Sequence, residues 1–216
     1  MWTEVANQHN DKHVLENHSL SKGMSLLRLP QYNFIEKWRW EDQQAFRKDV
    51  IDMVLATDMS QHFDVIGDFV SKFAIHKQPR TWDNTRESID FWTLDKSSQT
   101  VCLQMALKVA DIGHAYAKWD THLRWSKALE NEMFIQGDME AEAGIQVSPL
   151  MDRNRPGCSY PENQIGFFDV IVLPFLKELS HVFPAVSCCL TSAQHNRSIW
   201  QDRVMITRSS VFALEK

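Results

Sequence analysis

Seven glycines and seven prolines are spread over 216 residues, about half the usual combined share of roughly 12%. A chain so poor in turn residues has few places to reverse direction. A β-sandwich or barrel needs a turn signal every ~8 to 12 residues, so the scarcity points to an all-α fold, a compact multi-helix domain built from a few long elements. Apolar residues make up 44% and charged ones 24%, the balance of a protein that buries a core rather than of a mainly disordered chain. The 23 basic and 28 acidic side chains leave a formal charge of −5, with no long Lys/Arg block. That balance lacks the electrostatic footprint on which nucleic-acid affinity rests, so no nucleic acid is expected as a partner.

Cys102, Cys158, Cys188 and Cys189 follow none of the paired spacings of zinc sites or secreted disulfide frameworks. This points to a reducing compartment and a cytoplasmic location. The residues after Met1 show no basic region followed by an apolar run, so no signal peptide is expected. The longest apolar-rich stretch, Ile165 to Leu176, is too short for a bilayer and contains Asp169, so no membrane span is expected.

Hydrophobic periodicity divides the chain further. Phe46, Val50, Val54, Met59, Phe63 and Ile66 recur at helical spacing between Glu41 and Phe73, with a break near Asp58, which fits one or two helices. Lys77 to Ser97 shows no sustained period and reads as a surface connection. Val101, Met105 and Val109, widened by Leu103 and Leu107, mark a short helix that runs into Asp111. Leu123, Leu129, Met133 and Phe134 carry another, expected to stop between Gly137 and Pro149. Ser159 and Glu162 have capping-box spacing around Pro161, which predicts a helix start near Ser159. Ile165, Phe168, Val172, Phe175 and Leu179 continue its apolar face, and Pro174 should kink it. A last helix is expected over Val186 to Val204. No internal repeat, heptad run or low-complexity tract is visible.

Three places carry potential chemistry. Asp111 ends an apolar helix, where its charge meets the negative end of the helix dipole. A cation should offset it: either a divalent metal or, as the commoner arrangement, a nearby Lys or Arg. His9, His13, Glu16 and His18 cluster within ten residues. They read as metal or acid–base groups, or equally as a solvated polar helix start, and the zincin pattern is absent. Gln164 opens an apolar helix face with Phe167 and Phe168 one turn later. An amide beside aromatic rings suits the edge and the face of a heterocycle, although a glutamine beside core phenylalanines is also common.

These places fall in a longer series of motifs: Asn10-Asp11, Val14-Leu15-Glu16-Asn17-His18, Ala56-Thr57-Asp58-Met59-Ser60, Val109-Ala110-Asp111-Ile112, Gln136-Gly137-Asp138, Ser148-Pro149 and Gln164-Ile165-Gly166-Phe167. In this order they make the chain resemble the catalytic domain of class I 3′,5′-cyclic nucleotide phosphodiesterases. The resemblance covers about residues 3–203, with 204–216 left as a C-terminal tail. The stretch from Asp111 to Lys118, with His114, is most similar to the calmodulin-regulated animal branch.

The resemblance implies an all-helical hydrolase with two divalent metals, zinc and magnesium (or manganese), that converts cyclic AMP and/or cyclic GMP to the 5′-monophosphate. It makes Asp111 a metal ligand, with Glu16 and Thr57 as catalytic support groups that hold metal-bound water. Gln164 would bind the base edge, Phe167 would clamp the purine, and His114, Met59, Leu129, Met133 and Leu150 would complete the nucleotide pocket.

Two departures stand against these matches. The family's upstream motifs, His-Asn-x-x-His and His-Asp-x-x-His, supply the acid and three metal ligands, and neither occurs where it should. His9-Asn10-Asp11-Lys12-His13 spells the first by coincidence, directly against Val14-Leu15-Glu16. Ser19 also replaces the second histidine of the Leu-Glu-Asn-His motif. The chain is therefore expected to be a truncated portion of a phosphodiesterase domain, residues 1–216 forming a partial catalytic domain that is inactive alone and binds metal poorly. The alternative is a catalytically dead helical module that binds a nucleotide or a partner. Regulatory segments outside the chain, or a homodimer, would accompany either, because faces left without their helices promote association.

Overall fold

The computed structural model describes residues 3–74 and 89–214, with side chains to residue 205. Most of the expected connection between Lys77 and Ser97 lies outside the described residues. The chain divides into two compact units, Met1–Asp111 and Ile112–Lys216. Among the described residues the regular structure is helical throughout.

The first unit opens with α1 (Glu4–Gln8), capped by Thr3, whose hydroxyl oxygen accepts the Ala6 N–H at 3.1 Å. Asn10, Asp11 and His13 then adopt left-handed backbone angles, and α2 (Val14–Leu26) follows. The long periodic stretch resolves into α3 (Trp40–Leu55) and α4 (His62–Lys72), separated by a short 3₁₀ turn at Met59–Gln61. The break falls at Asp58, as its periodicity predicts. Asp58 caps the turn by accepting the Ser60 N–H at 2.7 Å. Asp95 starts α5 (Lys96–Asp111) in the same way, taking the backbone N–H groups of Ser97 and Ser98 at 2.9 and 3.1 Å. Phe69, Phe73, Val101 and Met105 form the buried centre where α3 and α4 meet α5.

The second unit begins with a 3₁₀ turn at Gly113–Tyr116 and the long α6 (Trp119–Glu142). An irregular connection leads to α7 (Pro161–Phe167), then a π turn at Phe168–Val172, α8 (Leu173–Val182), a 3₁₀ turn at Pro184–Val186 and α9 (Ser187–Leu214). Phe168, Val172, Phe175, Leu176, Ala193 and Trp200 fill its core.

One local expectation changes, and the structure adds detail to two others. The residue capping α7 is Tyr160, without a side-chain bond. Ser159 is engaged elsewhere: Glu130 of α6 accepts its N–H at 2.9 Å and its hydroxyl at 2.6 Å. A charged acceptor on a neighbouring helix outcompetes the local cap. Pro174 is accommodated by the π turn before it, in which the Leu173 N–H reaches back to the Phe168 carbonyl. Widening the helix there absorbs the hydrogen bond that proline cannot donate. As expected, α6 stops between Gly137 and Pro149, at Glu142, and the chain turns at Gly144 (φ +68°). Gly137 serves close approach: a Cβ there would lie 1.9 Å from the Met151 carbonyl oxygen.

Two outcomes follow from this packing. Gly137→Ala forces α6 away from the 148–152 segment and should destabilise the protein by roughly 1–3 kcal/mol; an unchanged urea midpoint would show that the segment yields freely. In unit 1, Leu15, Tyr32, Phe34, Trp38 and Trp40 are all exposed, and Phe34, Trp38 and Phe46 stack edge to face. Such apolar surface should drive association, giving a light-scattering mass above that of one chain, whereas a stable monomer at high concentration would contradict it.

Candidate functional site

In unit 1 the break after α3 gathers the polar groups. Asp58 is the hub: its carboxylate accepts the Ser60 N–H and, at 2.7 Å, the Nδ1–H of His13. The Ser60 N–H, ahead of the His13 contact, holds the Asp58 carboxyl below the usual carboxylate range. Thr57 donates its hydroxyl to the Val54 carbonyl at 2.7 Å, closing the end of α3. Met59, expected in the pocket wall, is exposed on the other side of Asp58. Glu16 lies half-buried on α2. The histidine cluster separates: His13 turns to Asp58, while His9 meets His18 edge to face with ring centroids 6.4 Å apart.

Asp111 is exposed as the last residue of α5. Lys108 stands one turn earlier on α5. Its side chain is buried at 3% exposure, and its Nζ donates to the Ala56 carbonyl at 2.8 Å. Burial lowers the Lys108 pKa, and the negative charges of Asp111 and Asp58 oppose that shift.

In unit 2, Gln164 sits in α7 at 4% exposure and donates its amide Nε2 to the Cys158 carbonyl at 2.7 Å. A carbonyl only accepts, so the contact fixes the amide orientation and leaves Oε1 as the remaining acceptor. That oxygen is buried with no hydrogen-bond partner. Phe167 follows one turn later, its ring parallel to that of His114 with centroids 6.2 Å apart and 6° between the planes. Leu129 and Met133 lie one turn apart on α6, the former exposed and the latter half-buried. Leu150, at φ +67°, is among the residues lining a cavity of ≈ 660 Å³ beside the start of α7, together with Asp152, Arg155 and Asn163.

Residues missed in the sequence hold this half together. Asn196 of α9 is buried and donates to the Ala115 and Ala117 carbonyls, both at 2.9 Å, anchoring the turn that carries His114. His122 of α6 is fully buried; Trp200 donates its indole N–H to His122 Nε2 at 2.8 Å. Since Nε2 must accept, the His122 proton sits on Nδ1, which faces His114 Nδ1 at 3.2 Å. His114 therefore keeps its own proton on Nε2. Desolvation, followed by the neighbouring His114, pushes the His122 pKa down to about 4. A histidine amid Trp119, Phe168 and Trp200 was visible in the sequence only as a polar residue on an apolar helix.

A divalent catalytic ion requires about three protein ligands. Among the described residues no group of three or more His, Cys, Asp or Glu side chains is placed to hold a metal ion, and Asp111 has a buried ammonium one turn away. The described residues by themselves therefore do not complete a three-ligand zinc site around Asp111.

The helical architecture is that of a solved enzyme domain. The phosphodiesterase domain of a Salpingoeca rosetta rhodopsin phosphodiesterase superposes with a TM-score of 0.86 at 23% identity, over 98% of this chain and 61% of that one. Residues 1–193 match the family described as 3′5′-cyclic nucleotide phosphodiesterase, and the chain belongs to that family. It is 32% identical over 195 residues to the dual 3′,5′-cyclic-AMP and -GMP phosphodiesterase beta of Plasmodium falciparum, covering 89% of this chain and 16% of that protein. It is 37% identical over 180 residues to the human dual specificity calcium/calmodulin-dependent 3′,5′-cyclic nucleotide phosphodiesterase 1B, covering 83% of this chain and 30% of that protein. The chain thus spans less than a third of the length of either relative. Among the described residues no helix is long and apolar enough to cross a membrane.

His122 makes stability depend on pH. The unfolded histidine takes up a proton near pH 6.5, while the folded one stays neutral until about pH 4. The unfolded state binds more protons in that window, so stability falls as the pH drops from 6.5 to 4, by roughly 3 kcal/mol in all. The Asp58 contribution is lost only lower, as the pH falls below the ordinary carboxylate range. Urea midpoints measured from pH 7 to 4 should show the decline in the wild type and a flatter profile in His122→Phe; parallel profiles would place the effect elsewhere.

Proposed function

We propose that this chain carries the base-recognition part, and one metal-binding carboxylate, of a domain that hydrolyses cyclic AMP and/or cyclic GMP to 5′-monophosphates in cyclic nucleotide signalling. Gln164 carries the reading: its amide is locked by the Cys158 carbonyl, its buried Oε1 lacks a partner, and Phe167 follows one turn on. A lone acceptor of this kind fits a donor on a base edge, and adenine and guanine both offer one. The His122–His114 contact keeps the His114 ring beside Phe167 in one tautomer, so the aromatic surface and the amide are pre-set. Preset groups bind a flat heterocycle without an ordering cost.

By resemblance, Asp111 supplies a carboxylate to zinc or magnesium (or manganese), and Glu16 and Thr57 steady water around it. The further ligands come from outside the described residues, so residues 1–216 act as a partial catalytic domain, inactive by themselves. A cytoplasmic location, with a homodimer or attached regulatory segments, accords with this role. The second reading, a dead helical module that binds a nucleotide or partner, is favoured by the Lys108 ammonium beside Asp111.

The test compares this chain with a chimera carrying the preceding part of a matched phosphodiesterase catalytic domain ahead of Met1. Hydrolysis of both cyclic nucleotides is expected in the chimera alone. Asp111→Asn should abolish it, and Gln164→Ala should raise KM about 10-fold or more through loss of a buried hydrogen bond. Cyclic-nucleotide binding without turnover in the chimera would instead establish the dead module.

A further inference from the structure

The four thiols fall into two kinds. Cys102 is buried, and Cys158 is half-buried with its thiol on the Ser126 carbonyl; burial pushes both pKa values up to about 11. Such thiols are inert. Cys188 and Cys189 instead sit in the first turn of α9, Cys188 exposed and Cys189 half-buried. Their sulfurs lie 4.0 Å apart. The Cys188 thiol donates to the Ala185 carbonyl at 3.2 Å, in the 3₁₀ turn that precedes the helix. With that proton spent, Cys189 is the donor in the contact between the two, and Cys188 meets it with a lone pair. Adjacent Cα atoms are about 3.8 Å apart across a trans peptide, short of the roughly 4.4 Å at which disulfides begin. Closing a disulfide here would break the first turn of α9, so the helix holds the pair as two thiols.

We propose that Cys188 and Cys189 form a chelating site for a soft monovalent cation of the copper(I) class. Thiolate sulfur selects such ions. An ion bonded to both sulfurs at about 2.3 Å, the sulfurs being 4.0 Å apart, subtends an S–metal–S angle of roughly 120°, that of a trigonal centre. Two thiolates satisfy monovalent copper, and the exposure of Cys188 leaves the third trigonal place open to a small ligand from solution. Zinc sites use four ligands, and among the described residues no third His, Cys, Asp or Glu joins the pair. Binding releases the two thiol protons to solvent, moves no electron and leaves one net negative charge on the ion with its two thiolates. The N–H groups that open α9 favour that charge. The site lies within unit 2 and does not depend on the hydrolytic reading.

The test is transfer of copper(I) to the full, reduced chain under argon, in competition with bicinchoninate, whose copper complex is coloured. The wild type is expected to take one copper per chain with no change in its light-scattering mass. Cys188→Ser and Cys189→Ser should each weaken retention on the order of 100-fold, because a chelate loses its advantage with either arm. Cys102 and Cys158 stay in every variant as the internal control, and far-UV circular dichroism checks that the helices are kept. No copper on the wild type would overturn the proposal, as would retention unchanged in the double variant, which would place the ion on Cys102 or Cys158. A single variant that keeps most of the copper, or half an equivalent accompanied by a doubled mass, would equally exclude an intrachain chelate. Copper K-edge absorption of the loaded wild type needs no variant: sulfur neighbours are expected, and a shell of nitrogen and oxygen alone would overturn the site even if a serine variant fails to fold. Air oxidation that removes two hydrogens' mass from the 188–189 peptide would show a disulfide in place of a dithiol.

Discussion

A helix that stops inside a protein leaves carbonyls and N–H groups without partners, and burying them unpaired costs more than most side-chain contacts return. Among the described residues the chain meets that constraint at several breaks with a polar side chain, most often drawn from another element. Lys108 serves the end of α3, Asn196 serves the turn between α5 and α6, and Glu130 serves the approach to α7. Gln164 serves the Cys158 carbonyl just ahead of its own helix. The positions of functional interest lie beside these ties: Asp111 beside Lys108, His114 in the turn held by Asn196, and Phe167 on the helix that Glu130 and Gln164 seat. Packing of apolar faces brings the helices together, and the ties decide where their ends sit.

How much of this was legible depends on the kind of signal. Long helices with few turn residues announce themselves through period alone, so α3, α4, α5 and α6 and the break at Asp58 could be read directly. The ends were less legible because local patterns compete with distant partners. Ser159 and Glu162 spelled a cap, yet Glu130, 29 residues away, takes the serine. Gly137 bounded the interval in which α6 was expected to stop, and the service it performs, letting the Met151 carbonyl approach, had no local signal. Lys108 had a signal that went unused: it continues the spacing of Val101 and Met105 and so sits where an apolar residue is expected.

The site divides in the same way. Residue types alone offered one suspect carboxylate, the cluster of Glu16 with His9, His13 and His18, and a glutamine beside phenylalanines; Thr57, His114, the pocket residues and the role given to Glu16 came from the family resemblance. His9-Asn10-Asp11-Lys12-His13 shows why spelling is a poor guide to donor geometry. Left-handed angles at Asn10, Asp11 and His13 turn the segment so that His13 faces Asp58 and His9 faces His18. The pairing of His122 with Trp200 spans 78 residues and left no trace in either neighbourhood.

The π turn at Phe168–Val172 has a wider consequence. One extra residue in a helical turn rotates everything beyond it by about 100°. It therefore acts as a phase shifter between α7, which bears Gln164 and Phe167, and α8, whose Phe175, Leu176 and Leu179 are committed to the core. The direction in which Gln164 and Phe167, the residues proposed to meet the base, point is thereby uncoupled from the direction in which the core must pack. Exchanges at the front of this composite helix can change the surface it presents while the rear remains under a separate steric contract.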